Sequence, residues 1–351
     1  MTPLAFSPVE AAIGGGILGM STLIKLLGNG RVTGLSGTFK GLLSAEGRKD
    51  RWRLDYVAGM ALGGLLAIKL LGPASFIDAL PASFTIERAV LAGSLVGLGS
   101  AMGNGCTSGH GLCGNARLSP RSMLFTVVMM VSGAATAAIA NTPDALGLAR
   151  ESAIANMALP SVSSILPALS MLGVATVTTV ITAVRAFRSG AAKPPRSELL
   201  SQGVEIVAGA MFAFGLAVSG MTRPAKVAGF LSVLHPAWDP SLALVMGAAL
   251  AISMPVTLTF LKRTQPSTGM TCGPAYCSNV SVPRRSDITP ELVAGAAIFG
   301  AGWGVGGVCP GPAMVNLLVP SPQIAAFFGA MLAAFWMHGA MNKATATKVK
   351  A

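Results

Sequence analysis

The chain has 351 residues, of which 52% are hydrophobic and 11% are charged, and its mean hydropathy is +0.66. Soluble proteins carry about 25% charged residues, so the composition excludes an ordinary soluble domain. The net charge of +12 does not indicate nucleic-acid binding, because the basic residues cluster in a few loops and form no basic face interleaved with aromatic residues.

Windows with almost no ionisable residue recur along the chain, and most reach the roughly 20 residues that a helix needs to cross the hydrocarbon layer. They predict an all-α polytopic membrane protein with about nine transmembrane helices and short re-entrant helices. The predicted spans are, in order, 9–28, 54–72, 87–104, 121–141, 160–184, 202–220, 241–261, 287–307 and 322–340. Two short segments, 31–43 and 223–234, are each expected to stay on one side of the membrane. Because the start of the chain lacks the basic region and cleavage site of a signal peptide, we expect the first span to be retained.

Basic residues are concentrated in particular loops. Residues 48–53, 117–121, 185–196, 262–285 and the end of the chain from 343 carry most of them, whereas 73–86, 142–160 and 235–240 carry few or none. The positive-inside rule places the basic loops in the cytoplasm. We therefore expect a multi-pass protein of the cell inner membrane, with its N-terminus outside and its C-terminus in the cytoplasm.

Two glycine-rich segments, each carrying a cysteine, occur at matching places in the chain. Residues 97–111 read GLGSAMGNGCTSGHG and residues 300–313 read GAGWGVGGVCPGPA, and a constant offset of 203 pairs Cys106 with Cys309. A second match, with an offset of 195, relates RVTGL at 31–35 to KVAGF at 226–230. Each half shows the order of span, short segment, span, span and cysteine, but the second half starts from the opposite side of the membrane.

This order predicts an inverted-topology internal repeat. It divides the chain into a first half-repeat at 1–120, connecting helices and a cytoplasmic linker at 121–200, and a second, inverted half-repeat at 201–351. Equivalent segments of such a repeat lie on opposite sides of one axis in the membrane plane. Cys106 and Cys309 are therefore expected to approach each other near the midplane.

The cysteine segments are also expected to break their helices. Non-helical backbone at membrane depth is tolerated only where it is buried in protein or lines a wet cavity, and five glycines between 103 and 114 make a continuous helix implausible there. Pro310 is well placed to open a new short helix after Cys309. The unpaired N–H groups and positive dipole end of such a helix favour an anion. Because a thiol is polarizable and donates weakly, a sulfur-bearing oxyanion would suit both the N–H groups and the S–H groups.

The chain resembles the YeeE/YedE membrane proteins, which include thiosulfate uptake proteins. The resemblance lies in GNGCTSGHGLCG (103–114), GMTRPAKVAGFL (220–231) and GVCPGPA (307–313), and the last motif looks like the companion half of two-component members, as if both halves were fused here. The resemblance implies inward passage of thiosulfate through a narrow hourglass, handed between central cysteines by S–H···S hydrogen bonds, with Cys106 and Cys309 as the central pair. Some members carry a further cysteine early in the chain; this sequence has Met20 in that region, so a three-thiol relay would need Cys113.

The candidate substrate-binding residues are Cys106, Cys309, Cys113, His110, Asn104, Ser108, Gly105, Gly311 and Lys226. Structural roles stay open for several of them. His110 either binds the ligand or relays a proton, or it is satisfied by a backbone carbonyl. Lys226 and Arg31 either attract the anion to its entrance or extend to the membrane interface. Asn104 and Ser108 are candidate donors to an oxyanion.

Cys272 and Cys277 lie in the polar linker before the eighth span. Their spacing and the lack of a nearby histidine make a poor zinc site, so no metal is expected. A thiol pair that receives sulfur and a variable loop both stay open. No Walker or dinucleotide motif occurs, and no cofactor is expected.

We therefore expect a transporter, and not an enzyme, that moves thiosulfate or a related sulfur-containing anion into the cytoplasm. A membrane-embedded sulfurtransferase or sulfur-relay subunit that uses a cysteine persulfide is the alternative, although the candidate thiols lack the adjacent base of nucleophilic catalysis. The expected partners are the small anion, the lipid bilayer and, where sulfur is relayed, a cytoplasmic sulfur-accepting protein.

Overall fold

The computed structural model describes residues 4–73, 80–157, 159–188, 197–264, 272–277, 279–283 and 285–350. These residues form helices joined by loops and turns, with no β-strand among them. The expectation of an all-α fold is therefore confirmed. Lys193, Arg196 and Arg284, which the charge pattern places in cytoplasmic loops, lie outside the described residues.

Long helices form the framework of the described part. They are α1 (Pro8–Asn29), α3 (Trp52–Leu71), α4 (Ile86–Gly103), α5 (Pro120–Ile139), α6 (Val162–Arg188), α7 (Glu198–Val218), α9 (Ser241–Arg263), α10 (Pro290–Gly306) and α12 (Pro322–Lys350). Shorter helices lie between them: α2 (Leu35–Leu43), the π-helix (Thr107–Gly114), α8 (Pro224–Leu231) and α11 (Pro310–Asn316). Proline in the first turn opens many of them, because its fixed φ suits a helix start and its missing N–H would be unpaired there anyway.

The fold is that of a multi-pass membrane protein. Eight helices in the described residues are long and apolar enough to cross a membrane, and α4 with the segment after it, bent by 47°, makes nine. Large apolar side chains face outward along them; Val131 is 66% exposed and Val177 is 59% exposed. Such surfaces suit lipid. The expectation of a polytopic membrane protein with about nine spans agrees with this count.

The ends of several helices differ from the predicted ends. α6 continues four residues past the predicted end at 184, to Arg188, and α12 continues past 340 to Lys350. The apolar windows stop at the first charged or polar residues, whereas a helix continues until its backbone is capped. Basic residues in a last turn also favour the negative end of the helix dipole.

The long helices pack as two groups, and each group draws helices from both halves of the chain. In the first group α1 packs on α7 and α9, and α7 packs on α3; in the second group α4 packs on α10 and α12, and α10 packs on α5. If the two halves of the chain are exchanged, α1 takes the place of α7, α3 that of α9, α4 that of α10 and α5 that of α12, and the reverse. Each packed pair then falls on a packed pair, and the pair of α4 and α10 falls on itself. The long helix α6, which lies against α1, has no such counterpart.

The crossing of α4 and α10 shows the same exchange at atomic detail. A Cβ on Gly99 would lie 2.6 Å from the carbonyl oxygen of Gly295, and a Cβ on Gly302 would lie 2.8 Å from the carbonyl oxygen of Ala92. The offset of 203 residues relates Gly99 to Gly302 and also relates Ala92 to Gly295. The late part of each helix contacts the early part of the other, so α4 and α10 run antiparallel. Only glycine fits where two backbones approach this closely.

One face of the molecule collects the basic loops. The segment around Tyr276 covers the end of α1, where the Tyr276 N–H donates to the Gly28 carbonyl at 2.9 Å. Arg117, Arg121 and Arg185 each donate a hydrogen bond of 2.6 Å to residues between 276 and 287. The loops that the positive-inside rule groups together are therefore neighbours in the fold.

Candidate functional site

The first cysteine lies in a break directly after α4. The helix ends at Gly103, Asn104 takes the left-handed conformation with φ of 56°, and the chain then enters the π-helix. Cys106 immediately precedes the π-helix and is 1% exposed. The glycine spacing predicts the break but not the π-helix, whose wide turns are frequent at functional sites.

His110 holds this break together. Its Nε2 lies 3.1 Å from the Gly103 carbonyl oxygen and its Nδ1 lies 2.9 Å from Ser122 Oγ. Because a carbonyl only accepts, Nε2 carries the proton and Nδ1 accepts from the Ser122 hydroxyl in the neutral ring. The ring also stacks on Phe125 at 4.1 Å between centroids. This geometry matches the structural alternative for His110, with both ring nitrogens engaged.

The second cysteine lies in an equivalent break after α10. Gly307 takes the left-handed conformation with φ of 64°, and Cys309, 1% exposed, immediately precedes α11. Pro310 opens α11, as predicted. Pro310 and Pro312 lack an N–H, and the Ala313 N–H donates to the Cys309 carbonyl at 2.9 Å. Gly311 is therefore the one residue in this first turn whose N–H is available to a ligand. The sequence predicted more free N–H groups at this helix start.

The structure brings the two breaks together. The Cys309 side chain faces the Thr107 side chain and lies within electrostatic range of Cys106. Cys106 Sγ lies 3.3 Å from Ser108 Oγ, and Ser108 Oγ accepts from the Leu35 N–H at 3.2 Å. Cys106 thus has the Ser108 hydroxyl as its partner and Cys309 faces the Thr107 hydroxyl, and both hydroxyls come from the first break. All five cysteines are free thiols.

Cys113 extends this arrangement toward the loop between α1 and α2. It is 7% exposed, faces the backbone of Thr33 and lies within electrostatic range of Cys106. Cys309 likewise lies within electrostatic range of Cys106. Cys106 is therefore near both of the other buried thiols.

An apolar cavity of about 300 Å³ adjoins both breaks. Thr107 and Ser108 of the first break and Gly311 and Pro312 of the second line one part of it. The remaining wall is apolar and includes four methionines, Met129, Met130, Met221 and Met246. Because apolar side chains solvate a dianion poorly, this wall alone could not hold one. The polar groups of the two breaks, beside the cavity, are still needed for that.

Two polar cavities lie at opposite ends of α1. The Lys226 vestibule, about 480 Å³, is lined by Lys226 and by Glu10 near the start of α1. The Arg31 vestibule, about 390 Å³, is lined by Arg31 just after α1, by Trp52 and by Cys277. A helix of 22 residues is about 33 Å long, so the vestibules are separated by roughly the thickness of the hydrocarbon layer.

The two basic residues of the second sequence match are both engaged in ion pairs. Lys226 is 4% exposed, and its Nζ lies 3.1 Å from Asp239 Oδ2 and 3.1 Å from the Ala5 carbonyl oxygen. Arg31 Nη1 lies 3.2 Å from Glu205 Oε1. Neither side chain extends freely to the interface, and each lines the vestibule at its own end of the molecule.

The remaining predicted residues lie at the edges of the breaks. The Asn104 side chain is exposed, whereas Cys106 and Cys309 are buried. Gly105 is buried against the His110 ring, and a Cβ there would lie 2.5 Å from it. Gly311 is buried against Leu35 and lines the apolar cavity.

Several polar residues near the thiols were missed by the sequence motifs. Thr107, the partner of Cys309, directly follows Cys106 and could have been found by its position alone. Lys25, Glu205 and Tyr56 are 0% exposed and lie together near Cys113. The signal for Lys25 is a cation inside a predicted span, which by itself indicates function.

The two linker cysteines have different environments. Cys272 is 1% exposed and packs with Leu23, Leu27 and Phe260; this burial raises the pKa of its thiol. Cys277 lines the Arg31 vestibule. Within the described residues, no group of three or more His, Cys, Asp or Glu side chains could hold a metal ion.

Comparison with known proteins matches each half of the chain separately. Residues 2–136 match the sulphur transport family, and residues 202–350 match a family of unknown function. A "Probable transporter" of Xylella fastidiosa (strain Temecula1) is 43% identical over 128 residues, covering 36% of this chain and 89% of the relative. A second "Probable transporter" of that strain is 37% identical over 135 residues, covering 38% of this chain and 86% of the relative.

The relatives are thus matched over nearly their whole length by little more than a third of this chain. This agrees with a chain in which two halves, separate in other members, are joined. The cysteine motifs, the nine spans and these matches have one consistent explanation: the chain belongs to the YeeE/YedE-like family of sulphur transport proteins.

Proposed function

We propose that this membrane transporter moves thiosulfate or a related sulfur-containing anion across the inner membrane into the cytoplasm, along a path lined by Cys309, Cys106 and Cys113. The observation that carries the proposal is the meeting of the two breaks, in which the Cys309 thiol faces Thr107 beside Cys106. All three thiols are buried, and Cys106 and Cys309 each have a hydroxyl next to them. An anion with a terminal sulfur can take the place of that hydroxyl beside the thiol as it passes.

The chemistry of the lining fits a soft anion. The thiol is a weak donor and a polarizable group. It can contact the terminal sulfur of the anion without requiring full desolvation of the anion's oxygen atoms. The hydroxyls of Thr107 and Ser108 and the Gly311 N–H are donors for the oxygen end. Sulfate has the same charge but no terminal sulfur, and is expected to pass poorly.

The antiparallel crossing of α4 and α10 supports an inverted repeat. Equivalent contacts at Gly99 and Gly302 follow from a twofold axis perpendicular to both helices, which in a membrane protein lies in the membrane plane. The two vestibules at opposite ends of α1 then serve as the two mouths of the path. The basic loops around the Arg31 vestibule support a cytoplasmic position for that mouth.

We infer passage without a covalent step. His110, the nearest histidine to the thiols in sequence, has both ring nitrogens engaged with Gly103 and Ser122, so it is not positioned as a base for Cys106. The family and the names of the relatives likewise favour transport. Mass-spectrometric detection of an obligatory cysteine persulfide would support the sulfurtransferase alternative instead.

The test is uptake of labelled thiosulfate into proteoliposomes by the wild-type protein, Cys106→Ala and Cys309→Ala. Each substitution should lower uptake at least about tenfold, because a hydrogen bond to a charged group is lost. Cys272→Ala is a matched control, since Cys272 is equally buried at 1% exposure but lies in the linker. Unlabelled thiosulfate should compete and sulfate should not.

Equal uptake by all four proteins would contradict a path through the cysteines. Loss of uptake in Cys272→Ala as well would show that removing any buried thiol damages the fold. A fourth variant, Thr107→Val, refines the test, because it removes the hydroxyl partner of Cys309 while keeping both thiols. It should raise the KM for thiosulfate without abolishing transport.

A further inference from the structure

A buried ion pair joins α1 to α7, on the side of the thiols that faces the Arg31 vestibule. Lys25 Nζ lies 3.0 Å from Glu205 Oε2, and both side chains are 0% exposed. Burying two charges costs more free energy of desolvation than an ion pair at the surface contributes. Ionisable residues at membrane depth mark ion paths. The pair is not part of either cysteine motif.

The cluster around this pair carries an excess of positive charge. Glu205 Oε1 also accepts from Asn29 Nδ2 at 2.9 Å and from Arg31 Nη1 at 3.2 Å. One carboxylate therefore balances two cations, Lys25 and Arg31. The remaining positive charge suits a mobile anion.

The surroundings of the Lys25 ammonium leave donors available. Its Nζ lies 3.8 Å from the Tyr56 ring centroid and 4.4 Å from the Trp52 ring centroid. An ammonium has three N–H donors, and aromatic faces attract a cation without accepting strong hydrogen bonds. The Tyr56 and Thr33 hydroxyls face each other, and neither has a partner in full hydrogen-bond geometry among the described groups.

This cluster connects the thiols to a vestibule. Cys113 lies within electrostatic range of Lys25 and faces the backbone of Thr33. On the other side, the Trp52 ring that covers Lys25 also lines the Arg31 vestibule. The cluster therefore lies between Cys113 and the open cavity.

We propose that Lys25, Tyr56 and Thr33 form an oxyanion-binding subsite that receives the sulfur-containing anion after it leaves the thiols. The Lys25 ammonium and the two hydroxyls donate to the oxygen end of the anion while Cys113 contacts its sulfur end. Glu205 positions Lys25 and offsets one of the two positive charges of the empty site. The subsite rests on the proposed function and adds a binding step to it.

A purely structural pair, which would only hold α1 against α7, is the competing explanation. The double variant Lys25→Met/Glu205→Gln separates the two, because it removes both charges together and avoids leaving one of them buried and unpaired. Single Lys25→Met should be less stable than the double variant, since it leaves Glu205 without its ammonium. Lys40→Met is the control, because Lys40 is partly exposed on α2, outside the cluster.

The measurements are thermal unfolding in detergent with and without thiosulfate, and the KM for thiosulfate uptake in proteoliposomes. We expect the double variant to unfold near the wild-type temperature, to lose the stabilisation by thiosulfate, and to show a KM raised at least about tenfold. Lys40→Met should behave as wild type. A stable double variant with unchanged KM and unchanged stabilisation by thiosulfate would overturn the subsite.

If the proposed function is wrong, the result differs already in the wild-type protein. That protein then shows neither thiosulfate uptake nor thiosulfate-dependent stabilisation, and the subsite is wrong as well. Failure of the subsite alone appears only in the double variant, with Cys106→Ala still defective. Tyr56→Phe removes one hydroxyl while keeping the ring on Lys25, and a raised KM in that folded variant supports direct contact with the anion.

Discussion

The two breaks occupy equivalent places in the fold but are built differently. Cys106 and Cys309 follow helices whose crossing contacts repeat with an offset of 203 residues, and the residues just before them share the left-handed conformation. The first break continues into a π-helix that supplies hydroxyls and the His110 ring. We call this ring the latch, because it is hydrogen-bonded to both Gly103 and Ser122. The second turns into α11, where a Pro-Gly-Pro sequence removes N–H groups.

The difference suits a division of roles between the two sides of the proposed path. The first break provides the hydroxyls next to both thiols, through Thr107 and Ser108. The second provides a thiol on a stiff backbone, because two prolines fix φ in the first turn of α11. A symmetric frame thus holds one polar, adaptable side against one rigid side.

The largest expected effect comes from breaking the shared frame. Gly99→Val and Gly302→Val should each abolish the folded protein, because a Cβ at either position falls within 2.8 Å of backbone atoms of the facing helix. Overpacking against backbone that cannot move costs more than about 3 kcal/mol. Size-exclusion profiles in detergent and thermal unfolding measure it.

Gly247→Val is the control for this pair, since a Cβ on Gly247 in α9 meets nothing within 4 Å. It should give folded, transporting protein. A marked difference between Gly99→Val and Gly302→Val would show that the two crossings are not equivalent. Tolerance of both would contradict the close antiparallel approach of α4 and α10.

A smaller effect is expected from removing the latch that only the first break has. His110→Phe keeps a ring to stack on Phe125 but leaves the Gly103 carbonyl and the Ser122 hydroxyl without their ring partner. Each buried group left unpaired costs about 1–3 kcal/mol. The equivalent position in the second break is Ala313, so no corresponding loss exists there.

The readouts for His110→Phe are the melting temperature in detergent and the pH profile of uptake. We expect a lower melting temperature and, at temperatures where the variant is folded, an unchanged pH profile, because a latch does not move protons. His338→Phe, on the outer helix α12, serves as the comparison and should leave the melting temperature unchanged. A pH profile altered in His110→Phe alone would favour the proton-relay alternative.

The sequence predicted the framework well because lipid imposes simple rules on it. Apolar length located the nine spans, and the offset of 203 identified both cysteines, since the repeat preserves spacing within each half. The π-helix was beyond prediction, because glycine content signals a break without specifying how the backbone hydrogen bonds are re-formed. The Lys25–Glu205 pair depends on the packing of α1 against α7, 180 residues apart in the chain, which no local pattern encodes.

The smallest expected effect compares the two residues that start the breaks. Asn104 and Gly307 share the left-handed conformation, at φ of 56° and 64°, and the offset of 203 relates them. Asn104→Gly should change the free energy of unfolding by less than about 1 kcal/mol, because glycine adopts this conformation without strain. It should also leave uptake unchanged, since the Asn104 side chain is exposed whereas the thiols are buried.

The reciprocal swap has a different outcome for a local reason. A Cβ on Gly307 would lie 2.6 Å from the Pro224 carbonyl oxygen, so Gly307→Asn should fail to fold although asparagine tolerates the same φ in the first break. A folded Asn104→Gly variant with reduced thiosulfate uptake would place the Asn104 amide in contact with the anion, as the sequence predicts. Unchanged uptake would leave Asn104 as a helix cap, and the polar side of the path would then begin at Cys106.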